Sequence, residues 1–176
     1  MTTILFDARL GIAAADSYGT DGDRTWTDVR KVWRICGCLI GLAGPTDEGV
    51  AFKNWLKAGC PDKWPCFRNS AALVLSPAGL VHFDGSCIPQ PVASGIESIG
   101  TGAKVALASY EALGRKNPRR AVALACKYSE GSGGRTCATR TSSPKTWMSW
   151  ARSATLLAPR PLTTSTPNGW ITGSAT

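Results

Sequence analysis

The order of segments along the chain predicts an α+β protein, with antiparallel sheets and helices kept to their outer faces. Three observations carry this. Apolar, strand-like runs come in adjacent pairs separated by a few turn residues, the spacing of antiparallel hairpins. Helical patterns come once after two such pairs and then twice in succession, so the strand–helix alternation of a parallel α/β fold is missing. The 176 residues, 43% hydrophobic and 18% charged, suffice for one well-buried domain.

The elements follow in order. Thr2 to Ala8 (TTILFDA) reads as a first strand and Gly11 to Ser17 (GIAAADS) as a second, with Arg9-Leu10-Gly11 turning between them. YGTDGDRTWTD is polar and glycine-containing and reads as a loop. Lys31–Cys36 and Cys38–Ala43 form the next strand pair around Gly37, with Cys36 and Cys38 as small buried hydrophobes on one strand face. Thr46 fits an N-cap, and Asp47 and Glu48 put negative charge in a first helical turn. Val50, Phe52, Trp55 and Leu56 supply the apolar positions and Gly59 closes the helix. CPDKWPCFRN with Ser70 is a proline-rich loop. ALVLSPAGLVHFDG is a hairpin around Ser-Pro-Ala-Gly, with His82 a structural strand residue. CIPQPVASG is an irregular connection. Ser98-Ile-Gly-Thr-Gly102 leads into a helix, KVALASYEALG, ending near Gly114. Pro118–Lys127 (PRRAVALACK) starts another, with Pro118 near its first turn.

Bulk properties narrow the function classes. No apolar stretch of about eighteen residues exists, so no membrane span is expected. The N-terminus has neither a basic region nor a long apolar one, so no signal peptide is evident and the cytoplasm is the expected compartment. The seven cysteines are an odd count in a chain without a secretion signal, which predicts mostly reduced thiols. Their spacing lacks a CxxC…CxxC pair, so neither a metal nor another cofactor is expected. The net charge of +8 raises the class of nucleic-acid binders. Residues 135–176, however, hold five Lys/Arg and no Asp/Glu, leaving the first 134 with 15 basic and 12 acidic side chains, a net of +3. No interleaving of aromatics with basic residues appears in that core, so no specific nucleic-acid partner is expected.

Six short pieces then occur in a fixed order: TTI at the N-terminus, AADS, VRKV, GLAG before a helix, GTGAKVAL, and AVALACKYSEGSGG. Together they resemble proteasome-type N-terminal-nucleophile hydrolases, the bacterial and phage-encoded branch similar to the HslV peptidase and proteasome β-subunits. The resemblance covers roughly residues 2–134. It implies a four-layer αββα sandwich and threonine-dependent amide hydrolysis. Carried over residue by residue, it makes Thr2 the nucleophile once Met1 is removed, so that one residue offers both a hydroxyl and a free amine as its base. Lys31, in Val29-Arg-Lys-Val32, matches the lysine beside the nucleophile, and Asp16, in Ala15-Asp-Ser17, the carboxylate that holds it. Gly44, in Leu42-Ala-Gly44, matches the backbone donor of the oxyanion hole. Thr101 stands for the serine of the usual Gly-Ser-Gly, and Ser132 for the serine of the usual Asp-x-x-Ser-Gly-Gly. Ser129 replaces the aspartate of that last motif and takes a carboxylate out of the amine's surroundings. Glu130 is one position off.

The resemblance also implies peptide or unfolded-protein substrates, a homo-oligomeric ring and an ATPase unfoldase. It ends at Gly134, dividing the chain into a hydrolase-like domain over 1–134 and an atypical tail over 135–176. Sixteen of those last 42 residues are Ser or Thr, three are Trp and four are Pro. No strand or helix period is visible there and composition favours disorder. An out-of-frame reading near codon 135 and a lineage-specific tail are both open as its origin. Two functions therefore compete: a threonine peptidase, and a non-catalytic assembly or scaffold subunit of the same fold, which the Ser129 departure and the tail favour.

Overall fold

The computed structural model describes residues 2–21, 23–61, 65–86, 88–129 and 132–141. Two antiparallel sheets face each other. The first has the order β10-β1-β2-β11, made of β1 (Ile4–Asp7), β2 (Ile12–Asp16), β10 (Ile96–Ile99) and β11 (Thr136–Arg140). The second has the order β5-β6-β7-β8-β9, made of β5 (Val32–Ile35), β6 (Cys38–Ala43), β7 (Ala71–Ser76), β8 (Gly79–Phe83) and β9 (Gln90–Pro91). Every residue of β1 and β2 is buried, which explains why both read as unbroken apolar runs: their sheet is covered on both faces.

Three apolar clusters define the layers. Between the sheets, Ile4, Phe6, Ala13 and Ala15 of the first meet Val32, Leu39, Leu73 and Leu75 of the second. On the outer face of the first sheet, Leu5, Ala14 and Ile96 pack against α2 (Ala103–Ala112) and α3 (Pro118–Tyr128) through Ala106, Tyr110, Val122 and Ala125. On the outer face of the second, Ile40, Leu42, Val74 and Phe83 pack against Phe52 and Leu56 of α1 (Thr46–Lys57), with Phe67 beside them. Alternate residues thus serve opposite layers, and each Leu, Ile or Phe so buried contributes about 1.5–3 kcal/mol. The sequence-predicted four-layer αββα sandwich is the observed architecture.

Helix ends follow their residue types closely. In α1, Gly59 has a φ of +84°; its N–H donates to Leu56 O and that of Cys60 to Trp55 O, a Schellman closure. Gly114 and Arg115 close α2 in the same way on Glu111 and Tyr110. Asn117 caps α3 by accepting from Arg120 N at 2.9 Å, ahead of Pro118 at the first helical position. Thr46 is not the cap expected of it. Pro45 occupies that position without a side-chain hydrogen bond and Thr46 is the first helical residue. Val50 is 43% exposed rather than part of the apolar face, whose buried residues are Gly49, Phe52 and Leu56.

The polar stretch expected to be a loop forms a separate two-stranded ribbon, β3 (Gly19–Asp21) with β4 (Arg24–Trp26). Its strand pattern is invisible because β4 is exposed throughout and has no buried face to alternate. Within the irregular CIPQPVASG connection, Gln90–Pro91 pairs with β8. Cys36 and Cys38 do not share a face: Cys36 lies exposed in the turn with a φ of +48°, and Cys38 is buried at the start of β6. Among the described residues Cys66 is disulfide-bonded and Cys36, Cys38, Cys60, Cys126 and Cys137 are free, so the thiols are mostly reduced, as expected. In the segment expected to lack strand periodicity, Thr136–Arg140 is β11, which pairs with β2 from Thr136↔Asp16 to Arg140↔Ile12. Residues 142–176 lie outside the described residues.

Candidate active site

The start of β1 meets three other segments: the end of β2, the start of β5 and the entry to α2. Just ahead of β1, Thr3 N donates to Asp16 Oδ1 at 2.7 Å. Asp16 closes β2, and Asp16 N donates to Thr3 O at 3.1 Å. The same Oδ1 accepts from Lys31 Nζ at 2.9 Å, and Oδ2 accepts from Gly133 N at 3.4 Å. Lys31 stands immediately before β5, so the ion pair spans the two sheets. The Asp16 side chain is wholly buried and that of Lys31 is 5% exposed.

Burial holds the Lys31 ammonium below its ordinary value of 10.5, against the opposing hydrogen bond and charge of Asp16. The Cys126 thiol on α3 is pushed up to about 11, first by burial and then by the Asp16 charge.

Thr101 reaches Thr2 from the other side. Thr2 N and Thr101 Oγ1 are 3.4 Å apart, and Thr2 O accepts from Thr101 Oγ1 and Gly102 N, each at 3.4 Å. Gly100 is required here: its φ is +95°, and a Cβ on it would lie 2.7 Å from the carbonyl carbon of Thr2. Ser132 Oγ lies 2.5 Å from Thr3 Oγ1, so it bonds to the residue after Thr2 rather than to Thr2 itself.

Five of the six sequence-predicted residues, Thr2, Asp16, Lys31, Thr101 and Ser132, thus belong to one hydrogen-bonded cluster around the Thr2–Thr3 backbone. Gly44 stands apart from that network: among the described residues no hydrogen bond links it to the cluster. It follows β6 with a φ of +123°, and a Cβ on it would be 2.6 Å from Ser70 Cα and 2.7 Å from Asn69 O. Ser70 Oγ against it is buried and has no hydrogen-bond partner among the described residues. The loop carrying Asn69 and Ser70 is tied to α1 by Glu48, whose carboxylate accepts from Arg68 N and Asn69 N at 3.3–3.4 Å.

Ser129 ends α3, its N–H donating to Ala125 O at 2.8 Å, and its Oγ is buried without a partner among the described residues. Glu130 lies outside those residues. His82 sits in β8, the strand position expected of it. Sequence reasoning missed Thr3, Ser70 and the Gly133 amide. Thr3 left a signal as the second threonine of the TTI stretch and Gly133 as part of the Ser-Gly-Gly motif, whereas Ser70 left none.

In structure the chain is similar to eukaryotic HslV from Trypanosoma brucei, with a TM-score of 0.64 and 23% identity, the match covering 78% of this chain and 98% of that one. It is also similar to BPH of Thiobacillus denitrificans in complex with epoxomicin, with a TM-score of 0.60 and 14% identity over 81% of this chain and 100% of that one. A second structure of that BPH gives a TM-score of 0.57 and 15% identity, covering 80% and 98%. No protein-family model and no curated protein matches the sequence. The chain therefore has the N-terminal-nucleophile hydrolase fold, and the likeness is one of fold. Among the described residues no helix is long and apolar enough to cross a membrane, and no group of three or more His, Cys, Asp and Glu side chains could hold a metal ion.

Proposed function

We propose that the chain is a threonine-type peptidase that hydrolyses peptide bonds with Thr2 as nucleophile after removal of Met1. The observation that supports this best is the double use of Asp16 Oδ1. It holds Lys31 Nζ and the Thr3 amide at 2.9 and 2.7 Å, and so ties a buried cation to the backbone next to Thr2.

In this reading the freed Thr2 amine, with an ordinary value of about 8, takes the proton of Thr2 Oγ1 directly or through a water. The buried Lys31 charge favours the neutral amine and the developing alkoxide. Attack on the substrate carbonyl carbon forms a C–O bond and pushes the carbonyl electrons onto oxygen, where the Gly44 N–H donates to the oxyanion. Collapse expels the amine leaving group, which takes the proton from the Thr2 amine, and leaves an ester on Thr2. Water, deprotonated by the same amine, attacks that ester and releases the acid. Thr101 orients the amine, and Ser132 braces the backbone behind it. The substrate is a peptide or unfolded protein. The chain works in the cytoplasm, inside a homo-oligomeric ring fed by an ATPase unfoldase.

A second reading, a non-catalytic assembly subunit of the same fold, draws on one observation: the buried hydroxyl of Ser129 stands unpartnered where the resemblance places a carboxylate. Hydrolysis of a fluorogenic peptide by the wild type and by Thr2→Ala decides between them. A rate that falls to background in Thr2→Ala supports the peptidase; equal rates in both overturn it.

A further inference from the structure

Thr3 has no part in the chemistry above, yet it is the best anchored residue at the site. Its side chain is fully buried. Its amide donates to Asp16 Oδ1 at 2.7 Å and its hydroxyl shares a 2.5 Å hydrogen bond with Ser132 Oγ, either of which can donate. Gly102 leaves room for that pair: a Cβ there would lie 2.9 Å from Ser132 Oγ and 3.2 Å from Thr3 Cβ. Successive side chains of an extended chain point to opposite faces. The Asp16 N–Thr3 O bond continues the β1–β2 ladder by one pair, so Thr3 takes the face of Leu5, beside the helices, and the alternation gives Thr2 the face of Ile4 and Phe6, toward the second sheet.

We infer that Thr3 is the positioning residue of this site, its hydroxyl pair with Ser132 fixing the direction in which Thr2 presents its amine and hydroxyl. The inference rests on the threonine-nucleophile reading for its catalytic consequence. Its structural content, a fixed Thr2 amine, is measurable without turnover. The pair joins the start of the chain to the segment after α3, 129 positions away, so the site assembles only when that segment is docked.

The test uses the full chain with Thr2 exposed, by methionine aminopeptidase in vitro where the cell leaves Met1 in place. The pH dependence of acetylation of the Thr2 amine is followed by peptide mass mapping for wild type, Thr3→Val and Thr3→Ser, with peptide hydrolysis in parallel. Thr3→Val keeps the shape and removes the hydroxyl. The half-labelling pH is expected to move by about half a unit or more toward the ordinary N-terminal value. kcat should fall about ten-fold with KM within about two-fold. Thr3→Ser should restore both. A folded Thr3→Val whose amine labels as the wild type does overturns the inference. Where Thr3→Val loses its cooperative thermal transition, Ser132→Ala breaks the same bond from its other end and is judged by the same two outcomes. A wild type without hydrolysis overturns the peptidase reading alone, because the labelling profiles still decide the role of Thr3.

Discussion

Lys31 and Asp16 form an ion pair at 2.9 Å between two sheets, and both side chains are almost completely shielded from water. A buried pair of this kind is costly to break from one side. Lys31→Met leaves an uncompensated buried carboxylate and is expected to lose about 3–5 kcal/mol of stability. Lys31→Met with Asp16→Asn should recover a large part of that loss. Urea unfolding of the two single variants and the double variant measures it as a cycle.

The same pair sets a pH dependence. The Lys31 value is lowered by burial against the pull of Asp16. The folded state therefore binds fewer protons than the unfolded chain between that lowered value and 10.5, and the contribution of Lys31 to stability rises with pH across that window. Asp16→Asn removes the opposing pull, so Lys31 deprotonates at still lower pH. The alkaline limb of Thr2 labelling by an epoxyketone should move to lower pH. A limb that stays in place would show that Lys31 does not govern Thr2.

At the other end of β1, Asp7 is buried and accepts from Tyr110 Oη at 2.8 Å and from Arg9 at 2.9 Å. Burial raises its carboxyl value, but the hydrogen bonds from Arg9, Tyr110 and Leu10 outweigh it and leave the group below 3.8. Its stabilising contribution is present above 3.8 and is lost as pH falls through the lower folded-state value. Tyr110→Phe removes one donor at an expected cost of about 1–3 kcal/mol. The midpoint of acid unfolding should rise, as followed by circular dichroism, with peptide hydrolysis at neutral pH unchanged.

Gly44 and Gly37 make a matched comparison, since both have positive φ, +123° and +81°. Nothing lies within 4 Å of a Cβ on Gly37, whereas one on Gly44 collides with backbone atoms of Asn69 and Ser70. Gly37→Ala should cost about 1 kcal/mol. Gly44→Ala should cost about 2–3 kcal/mol and abolish epoxyketone labelling, because the loop carrying its N–H must shift. Thermal unfolding and adduct formation measured together separate strain from lost function.

Thiol reactivity should follow burial. Burial pushes Cys38 up to about 12 and Cys60 and Cys126 up to about 11, whereas Cys36 and Cys137 are exposed. Native alkylation should reach Cys36 and Cys137 first and Cys38 last, with Cys66 modified only after reduction. Time-resolved peptide mapping gives the order.

The layered fold was legible because its core strands are covered on both faces, α1 and α2 end in glycine closures, and Asn117 caps α3. The runs ILF and IAAA, the Gly59 and Gly114 closures, and Pro118 after Asn117 each had a local cause. The ribbon of β3 and β4 was not legible, since exposed strands have no alternation to read. β10 and β11 were missed for a different reason: each is short, and each is fixed by long-range pairing to β1 or β2. The types of site residue could be read as a set, but their joining could not. Asp16 and Lys31 are 15 residues apart and Thr3 and Ser132 are 129 apart. Only the facing of the two sheets and the return of the chain after α3 bring them together.

The most direct test is the intact mass and N-terminal sequence of the purified chain before and after treatment with an epoxyketone such as epoxomicin, which needs both an amine and a hydroxyl on one residue. The account predicts loss of Met1 and a single covalent adduct on Thr2, abolished in Thr2→Ala. A chain that begins at Thr2, is folded and takes up no adduct would contradict it.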